Sequence, residues 1–562
     1  MTLVCVPIFV EDIDAALRDA VAARDAGADL VEWRIDTYFS GSTGSDTEDG
    51  VVVAELQRLL AESPLPAILT CRPTWEGGDY DGDDADRVAL FEKLCTGESA
   101  PAYLDVELAA YTRSANIRQK IDLCVNHPKQ IRDVRTKLIL SIHDFKKRPD
   151  NLDRRLLEAY DAPACAVVKV AYRARSLRDN LDLFELTRGS PKPTIALGMG
   201  EFGLMSRVLA PKFGGYLTFA SLRDSSGTAP GQPTVDELLN LYRFRSIGRE
   251  TRIYGVIGWP VGHSLSPHVH NAGFEAVGHD GVYLPLPIAA DENDAEASYL
   301  SFKTTVWALF RSEPILLAGA SVTIPFKECL ARMGDGIGQS GALIDVVDAC
   351  GAANTIDVEI NDWSAIPPFY SGHRVANTDA IAIEALARGD ANSLAGSTVC
   401  LVGAGGVARA AAWICMDRGA RVLVNNRSEQ RALELVDGLR SRRDSSWEGD
   451  LGLISAQELI ESQFDVYINC TPVGMKGGPD PDGLSIPVPD MPNVGPDTVF
   501  FDTVYNPVET PMLKAARERG CTTIDGVEMF VRQAAAQFEL WTGKPAPVQL
   551  FDRICREKLA SS

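Results

Sequence analysis

Short apolar runs alternate with amphipathic stretches through the first part of the chain. The runs read as strands and begin at Leu3, Leu30, Ala67, Ala102, Lys137, Ala166, Thr194 and Tyr216. Between them lie segments such as the one from Asp12, with apolar residues at helical spacing and a glycine at the end. A doubly wound open sheet is the alternative, but eight such regular units predict an α/β fold of the (β/α)8 TIM barrel type over residues 1–245.

Polar residues fall near the carboxyl ends of these predicted strands. They are Glu32, Arg34, Asp36, Arg72, His143, Lys169 and Met199. In a barrel the carboxyl ends of the strands converge on one face, where active sites are built. One charge at a strand end is usually a cap or solvated, whereas seven polar or reactive residues at the same end indicate a functional face.

The pattern breaks at residues 243–251 and restarts as a strand with a Gly- and Pro-rich turn. From Thr398 a strand leads into GAGGVARA, a helix and a second strand, which predicts a βαβ unit. We expect a substrate-binding domain over 250–378 and a Rossmann-like domain over 379–530, with helices in 531–562 returning to the substrate domain. The segment from Asn293 to Gly319 looks like an insertion, and its function cannot be read from the sequence.

Charge and cysteine content narrow the classes of function. The chain has 562 residues and a net charge of −22, which argues against a nucleic-acid or anionic-membrane surface. Anionic substrates would need local clusters of Lys and Arg. Twelve cysteines show no C-x-x-C pair, as expected for thiols in a reducing compartment. The amino terminus resembles neither a signal nor a transit peptide, so we expect a cytoplasmic enzyme, or a plastid enzyme whose transit peptide has been removed.

Three of the seven histidines lie close together in the sequence: His263, His268 and His270. No accompanying Cys or H-E-x-x-H pattern supports metal ligation there, so we expect no metal.

Two barrel residues suggest covalent chemistry. Lys169 lies in the apolar run VVKVAY, where burial disfavours the charged ammonium and makes the free amine accessible as a Schiff-base nucleophile. The alternative is a lysine that extends to solvent at the barrel end. His143, in LSIHDF, is the one histidine in a predicted barrel strand and suits general acid–base catalysis. Its alternative is a core histidine bonded to the backbone.

The acidic loop GGDYDGDDADR follows Glu76. It fails as a Ca²⁺ loop, because Asp84 stands where Gly is needed and Leu90 where Glu is needed. We interpret it as a mobile lid over the barrel mouth.

The glycine-rich segment fits G-x-G-x-x-A, with Gly403, Gly405 and Ala408 between a strand and a helix. Such glycines let backbone N–H groups approach a pyrophosphate. Some 20 residues on, the position that carries an acid in NAD sites reads Asn-Asn-Arg-Ser. Arg427, with Ser428 and Arg431, can bind a 2′-phosphate instead, so NADP is the predicted cofactor. The alternative for Arg427 is a solvated charge at a strand end.

EWRID, TCRPTWEGG, LSIHDF, VVKVAY, LGMGEFGLMSR, TFAS and APGQPT occur in this order, and the barrel half resembles type I 3-dehydroquinate dehydratase. The resemblance implies that Lys169 forms an imine with the substrate ketone, that His143 removes the adjacent proton, and that Glu76 is the carboxylate partner of His143. It also implies that Arg207 binds the substrate carboxylate. The hydroxyl-binding set would be Glu32, Arg34, Arg72, Ser221 and Gln232.

GWPVGHSLSPHVHN, SVTIPFKE, GAANT, ANTDAIA, INCTPVGM and DTVYNPVETP make the rest of the chain similar to shikimate dehydrogenase. The resemblance implies that Lys327 and Asp379 are the catalytic pair, and Asp379 could also cap its helix. The implied substrate set is Ser264, Ser266, Thr323, Asn354, Tyr505 and Gln533. The cofactor set is Gly403, Ala404, Gly405, Gly406, Val407, Ala408, Asn426, Arg427, Ser428, Arg431, Thr471, Met475 and Gly526.

Two positions depart from the dehydrogenase pattern. Ser321 replaces the usual Asn of N-V-T-x-P-x-K, which bears on substrate orientation, and Ala534 replaces a frequent Gly. Together the two resemblances imply a bifunctional enzyme of the shikimate pathway, acting on 3-dehydroquinate, 3-dehydroshikimate and shikimate, in aromatic amino-acid biosynthesis. The alternatives are quinate oxidation by the second half, a different Schiff-base enzyme such as an aldolase, and a regulator on an enzyme scaffold. The oligomeric state stays open.

Overall fold

The computed structural model describes residues 1–40, 49–126, 136–223, 231–291, 293–312, 315–334, 342–360, 370–387, 394–442 and 450–561. The chain forms two compact units, a barrel unit over Met1–Thr251 and a second unit over Arg252–Ser562. Within the described ranges, no helix combines the length and the apolar character needed to cross a bilayer.

The barrel unit alternates strands and helices. Its strands are β1 (Leu3–Phe9), β2 (Leu30–Arg34), β3 (Ala67–Thr70), β4 (Tyr103–Glu107), β5 (Lys137–Asp144), β6 (Cys165–Arg173), β7 (Thr194–Met199) and β8 (Leu217–Phe219). Its helices are α1 (Ile13–Asp25), α2 (Asp36–Ser40), α3 (Asp49–Glu62), α4 (Asp84–Cys95), α5 (Leu108–Arg113), α6 (Ala115–Asn126), α7 (Leu152–Asp161), α8 (Asp179–Gly189) and α9 (Leu204–Val208).

The eight strands form one parallel sheet in the order β7-β6-β5-β4-β3-β2-β1-β8. The outer strands β7 and β8 meet where the Tyr216 N–H donates to the Thr194 carbonyl at 2.9 Å. The sheet therefore curls into a nearly closed barrel, and the prediction of eight βα units is confirmed over the open-sheet alternative.

Side chains inside the barrel follow the period of two that strands impose. A lower layer is apolar and includes Leu30, Ile68, Tyr103, Ile139 and Val167. Two residues further along the same strands stand Glu32, Thr70, Asp105, Ser141 and Lys169, all buried. The apolar layer seals the bottom of the barrel, and the polar layer above it faces the carboxyl-end mouth.

The second unit contains two sheets. Its strands are β9 (Arg252–Gly258), β10 (Gly281–Pro287), β11 (Leu317–Val322), β12 (Thr355–Ile360), β13 (Tyr370–Ala376), β14 (Thr398–Val402), β15 (Arg421–Asn425), β16 (Asp450–Leu453), β17 (Val466–Asn469), β18 (Val499–Asp502) and β19 (Thr522–Ile524). Its helices are α10 (Ser266–Ala276), α11 (Ala295–Arg311), α12 (Lys327–Gly334), α13 (Ala342–Cys350), α14 (Thr378–Ala387), α15 (Gly406–Asp417), α16 (Glu429–Ser441), α17 (Ala456–Glu461), α18 (Pro511–Glu518), α19 (Gly526–Thr542) and α20 (Val548–Ala560).

The first sheet has the order β10-β9-β11-β12-β13, with β9, β10 and β11 parallel. Helix α11 lies between β10 and β11 in sequence, so it is the crossover that parallel pairing requires. The interpretation of Asn293 to Gly319 as an insertion is therefore wrong. The described part of this segment belongs to the basic fold. Residues 313 and 314 lie outside the described ranges.

The second sheet is fully parallel in the order β16-β15-β14-β17-β18-β19. The direction of winding reverses beside β14, and the glycine-rich turn begins directly after that strand. In doubly wound folds the crevice at such a switch point is where a dinucleotide binds. The Rossmann-like prediction is confirmed.

Helices α19 and α20 pack against the first sheet and α10. Phe538 and Phe551 share a buried cluster with Val269 and Phe274 of α10. The Trp541 indole N–H donates to the Ile356 carbonyl of β12 at 2.9 Å. These contacts place the last two helices of the chain against the first sheet of the second unit and against α10.

Candidate active sites

Lys169 occupies the middle of β6, inside the polar layer of the barrel. Its Nζ donates to Asp105 Oδ2 at 2.9 Å and to Glu32 Oε1 at 3.3 Å. It also lies 4.6 Å from the centroid of the Phe219 ring. The expectation that Lys169 lies near the carboxyl end of its strand is wrong, because four residues of β6 follow it. Its strand neighbours are apolar, but two carboxylates from other strands surround the amine.

Asp105 and Glu107 are functional candidates that the sequence analysis missed. Arg72 donates from Nη2 to Asp105 at 2.8 Å and from Nη1 to Glu107 at 2.6 Å and to Ser141 at 2.9 Å. Although burial opposes ionisation, the Arg72 and Lys169 cations hold the pKa of Asp105 far below its usual value. Arg72 therefore organises the acids beside the lysine. The sequence signal that could have identified Asp105 and Glu107 was a pair of acids, two residues apart, at the end of a buried strand.

His143 and Glu76 form the second element of the barrel site. Glu76 Oε1 accepts the His143 backbone N–H at 2.9 Å and lies 3.5 Å from the ring Nδ1. Burial, reinforced by the positive charges of Arg72 and Lys169, lowers the pKa of His143 well below its usual value. Burial raises the pKa of Glu76 to about 7. The imidazole is therefore neutral near pH 7 and can accept a proton.

Arg207 is buried beside the end of β8. Its Nη1 lies 3.5 Å from both the Phe219 carbonyl and Gln232 Oε1, and no salt bridge to it occurs within the described residues. Burial alone lowers the pKa of Arg207, to about 10. A buried cation without a counter-ion is costly, so the site suits an anionic ligand. Ser221 donates weakly to the Pro233 carbonyl at 3.4 Å, and the Gln232 amide nitrogen is buried without a hydrogen-bond partner in that part of the structure.

The remaining predicted barrel residues have defined partners. Glu32 accepts from Thr70 at 2.8 Å. Arg34 binds Asp36 with two parallel hydrogen bonds of 2.9 and 2.7 Å and lies over the Phe9 ring. Met199 ends β7 and is half-buried. The structure brings Glu32 to the lysine, whereas Arg34 is held in its own ion pair.

Much of the acidic loop after Glu76 is fixed. The Tyr80 N–H donates to the Arg72 carbonyl, and Asp79 N–H donates to Asp36. Asp83 caps α4, and Asp84 is a buried partner of Arg87. Arg87 in turn pairs with Glu107 at 2.8 Å. The anchored end of this loop supports the acids of the barrel, and the interpretation of the loop as a lid stays a prediction.

Lys327 and Asp379 meet in the second unit. Lys327 begins α12, Asp379 lies in the first turn of α14, and Lys327 Nζ donates to Asp379 Oδ2 at 2.5 Å. Both side chains are buried. Asn377 accepts the Ala380 N–H, so Asn377 caps α14 and the expectation that Asp379 also does so is wrong. The Lys327 side chain, held by the Asp379 carboxylate, can therefore act as a proton donor.

Asn354 positions the turn that precedes Asp379. Its Oδ1 accepts the Thr378 backbone N–H at 2.8 Å, and its Nδ2 donates to the Thr378 hydroxyl at 3.0 Å. Ser264 accepts the N–H of Ser266, which begins α10. Thr323 follows β11 and is half-buried. Asn354 therefore has a structural role in addition to any contact with substrate.

Ser321, the residue that replaces the family's Asn, lies in a buried hydrogen-bond chain. The Tyr283 hydroxyl donates to Ser321 at 2.6 Å, and Ser321 donates to Gln537 at 2.7 Å. Gln537 then donates to Thr355 at 2.9 Å. Gln533, one turn earlier on α19, is half-buried and donates to the Phe530 carbonyl of its own helix. Of the two glutamines, Gln537 is committed to the protein and Gln533 remains available to a ligand.

Tyr505 and Gly526 lie close together. Burial raises the pKa of Tyr505 to about 12, and its ring packs against Phe530. A Cβ on Gly526 would lie 2.3 Å from the Val504 carbonyl oxygen. Glycine is therefore required for the start of α19 to approach the segment that carries Tyr505.

The glycine-rich turn has the geometry of a phosphate-binding loop. Gly403 has a φ of 121°, and its Cβ would approach the Cys470 carbonyl to 2.8 Å, so the turn needs glycine there. Gly405 is exposed, and a Cβ on it would meet nothing within 4 Å. The exposed backbone at the start of α15 leaves space for a pyrophosphate. Ala404, Val407 and Ala408 continue the turn into the helix.

The end of β15 carries the predicted 2′-phosphate residues. Arg427 and Arg431 are exposed, and Ser428 caps α16 by accepting the Arg431 N–H at 3.4 Å. Asn426 Nδ2 donates to the Ser428 carbonyl at 2.9 Å. Thr471 and Met475 lie in the loop after β17, where Thr471 donates to Asn469 at 2.7 Å. The residues present therefore fit an NADP molecule whose pyrophosphate lies at the glycine turn.

The three clustered histidines differ in environment. His263 is exposed, whereas His270 is buried and stacks on Tyr283 with ring centroids 4.5 Å apart. Burial lowers the pKa of His270 to about 3. In the described ranges no group of three or more His, Cys, Asp or Glu side chains is arranged to hold a metal ion.

Comparison with protein families agrees with this division of the chain. Residues 4–249 match type I 3-dehydroquinase. Residues 256–356 match the shikimate dehydrogenase substrate binding domain, and residues 526–553 match the shikimate 5′-dehydrogenase C-terminal domain. The fold and sites thus define a two-enzyme chain, a lyase followed by an NADP-dependent oxidoreductase.

One relative extends this to the whole chain. The chloroplastic bifunctional 3-dehydroquinate dehydratase/shikimate dehydrogenase of Arabidopsis thaliana is 35% identical, over 98% of this chain and 84% of that protein. The NADP(+) shikimate dehydrogenase of Archaeoglobus fulgidus is 36% identical over 51% of this chain and 92% of its own length. A solved S. pombe AroM structure of dehydroquinate dehydratase and shikimate dehydrogenase is 23% identical, covers 99% of this chain and 98% of that one, and has a TM-score of 0.39. On the full-length sequence similarity, the chain belongs to the bifunctional 3-dehydroquinate dehydratase/shikimate dehydrogenase family.

Proposed function

We propose that the barrel unit converts 3-dehydroquinate to 3-dehydroshikimate and that the second unit reduces this product to shikimate with NADPH. The observation on which this depends is that each unit holds a buried lysine paired with a carboxylate: Lys169 with Asp105, and Lys327 with Asp379. The two lysines serve different chemistry because one faces a neutral histidine and the other lies beside a nucleotide-binding turn.

In the barrel, Lys169 Nζ attacks the substrate ketone, and loss of water gives an imine. The imine withdraws electrons from the adjacent carbon, so that neutral His143 can remove a proton there. The protonated histidine then donates to the leaving hydroxyl, which departs as water. Hydrolysis of the imine releases the product and restores the amine. Glu76 stabilises the charge on His143 during these transfers.

The buried guanidinium of Arg207 binds the substrate carboxylate, since it has no salt-bridge partner in the described structure and lies beside Gln232. Ser221, Gln232, Glu32 and Arg34 line the same mouth and are assigned to the hydroxyl groups. Arg72 acts on the substrate through Asp105, because its guanidinium is occupied by protein acids.

In the second unit, NADPH supplies the hydride when bound, held by the cofactor set named above. Lys327 donates a proton to the substrate oxygen, and Asp379 keeps the ammonium oriented. Ser264, Ser266, Thr323, Asn354, Tyr505 and Gln533 are assigned to the substrate. We also propose a substrate-binding domain over 250–378 and a cofactor-binding domain over 379–530, with the helices in 531–562 returning to the substrate-binding domain.

Two assays test the proposal. Borohydride reduction in the presence of 3-dehydroquinate is expected to attach the reduced product to Lys169, and a label on another residue would contradict the barrel mechanism. Shikimate with NADP is expected to produce NADPH fluorescence. Faster turnover of quinate than of shikimate would instead identify the second unit as a quinate dehydrogenase.

The same proposal places the enzyme in the cytoplasm or in a plastid. In the described structure no disulfide joins any of the twelve cysteines, which fits a reducing compartment. Subcellular fractionation of the native source, followed by both activity assays, tests this location.

A further inference from the structure

Gly406, the first residue of α15, lies against the side chain of Lys327. A Cβ built on this glycine would lie 2.7 Å from Lys327 Cβ, 3.1 Å from Cδ and 3.4 Å from Cγ. Three carbons of the lysine stem therefore rest on the backbone of the nucleotide-binding turn. Gly406 is buried, so this contact is part of the interior of the second unit.

The three glycines of the turn are needed for different reasons. Gly403 has a left-handed φ of 121° and closely approaches Cys470. Gly405 is exposed and faces open space, which suits the approach of a phosphate. Gly406 is not among the positive-φ glycines and begins a helix, so its backbone conformation would accept alanine. The stem of Lys327 is the obstacle to a side chain at this position.

The backbone of Lys327 is itself fixed. Its carbonyl accepts the Ala353 N–H at 2.9 Å, and its Nζ donates to Asp379 at 2.5 Å. One residue further along α12, Glu328 pairs with Arg409 of α15 at 3.3 Å. The start of α12 and the first turn of α15 are thus joined at two points. The lysine stem is therefore held at both ends, by the hydrogen bond to its carbonyl and by that from its Nζ, which opposes a movement away from Gly406.

We propose that Gly406 is a positioning residue for Lys327, so that the turn that binds the cofactor pyrophosphate also sets the location of the proton donor. The inference rests on the proposed dehydrogenase function of the second unit and assigns to this glycine a role that the glycine motif alone does not specify. A cofactor contact and a catalytic contact are made by neighbouring residues, Gly405 and Gly406, which allows them to be separated by experiment.

The test compares Gly406→Ala with Gly405→Ala in the full-length protein. Real Cβ atoms keep at least about 3.0 Å, and usually about 3.4 Å, from such neighbours, so Gly406→Ala must shift the lysine stem relative to α15 by roughly 0.3–0.7 Å. Displacements near 1 Å in an active site can lower rates about 100-fold, so we expect kcat for shikimate oxidation to fall by about tenfold or more. Gly406 belongs to the cofactor set, but its side-chain position is buried against Lys327, whereas the exposed Gly405 is unchanged. The dissociation constant of NADPH, measured by fluorescence without substrate, is therefore expected to change much less than kcat, by about threefold at most.

Gly405→Ala is expected to show the opposite pattern, with a raised KM for NADP and kcat retained at saturating NADP. Thermal unfolding and dehydratase activity, measured on both variants, report whether the chain is folded. The proposal is overturned if Gly406→Ala weakens NADPH binding with kcat intact, or if it changes neither quantity. Absence of NADPH formation by the unmodified protein would instead contradict the proposed function.

Discussion

Replacement of Glu76 by Gln gives the sharpest test of the barrel electrostatics. Burial raises the pKa of Glu76 from 4.5 to about 7. At about 1.4 kcal/mol per pKa unit, the ionised carboxylate is disfavoured in the folded state by about 3 kcal/mol. The folded pKa is higher than the unfolded one, so the stability contributed by the protonated acid is fully present below pH 4.5 and is lost as the pH rises through 7.

Glutamine has nearly the same shape and does not ionise. We therefore expect Glu76→Gln to gain about 3 kcal/mol relative to the wild type between pH 4 and pH 8. Urea unfolding, followed by hydrogen exchange in peptides from β5 and β6, measures the barrel separately from the second unit. Glu201→Gln, which removes an exposed carboxylate of the same unit, is the matched control.

The same residue should govern the pH dependence of dehydration. Because the pKa of His143 is held low, its imidazole is neutral across this range, and the ionising group is Glu76. The value of kcat/KM for 3-dehydroquinate should rise about tenfold per pH unit below pH 7 and level off above it. The Glu76→Gln variant should dehydrate the substrate more slowly, and its kcat/KM should not show this rise with pH. A variant that kept the wild-type limb at the same pH, or showed no pH-dependent gain in stability, would refute this account of the site.

Three further substitutions separate the remaining roles. Lys327→Ala should lower shikimate oxidation by about 10²–10⁴-fold and leave dehydration unchanged, and steady-state assays of both reactions on one preparation would expose a loss of both. Arg207→Leu should raise the KM for 3-dehydroquinate by about 10–100-fold with no fall in the unfolding temperature, because no salt bridge to Arg207 occurs in the described residues. A lower unfolding temperature in calorimetry would show that Arg207 is structural. Arg427→Ala should raise the KM for NADP by about 10–100-fold while leaving that for NAD nearly unchanged, and an equal effect on both cofactors would remove the 2′-phosphate assignment.

The alternation of residue types along the chain was enough to predict much of this architecture. Eight short apolar runs separated by amphipathic helical stretches predicted the barrel, because a (β/α)8 fold repeats one strand and one helix eight times. A glycine-rich turn between a strand and a helix predicted the nucleotide-binding sheet of the second unit. Both the tight turn and the approach of a phosphate need residues without a side chain. The apolar strand around Lys169 indicated a candidate nucleophile, and the family resemblance added Lys327 as a candidate catalyst. The structure places each lysine in a buried site.

Other features depend on which segments meet in space. Asp105 lies 64 residues before Lys169, and Gln537 lies 216 residues after Ser321, yet each pair is in hydrogen-bond contact. Strand periodicity identifies the buried face of a strand, but the partner across the barrel is set by strand order and register. For this reason the surroundings of Lys169 looked apolar in the sequence, and the segment before β11 looked like an insertion.

The sequence by itself determined the succession of elements, the two kinds of unit and the residue types available for chemistry, because these follow from local periodicity and side-chain composition. Only the tertiary structure decided the ionic environment of each lysine, the role of Arg72 and the contact of Gly406 with Lys327. The physical reason is that charge stabilisation and steric exclusion act over a few ångströms between atoms, whatever their separation along the chain.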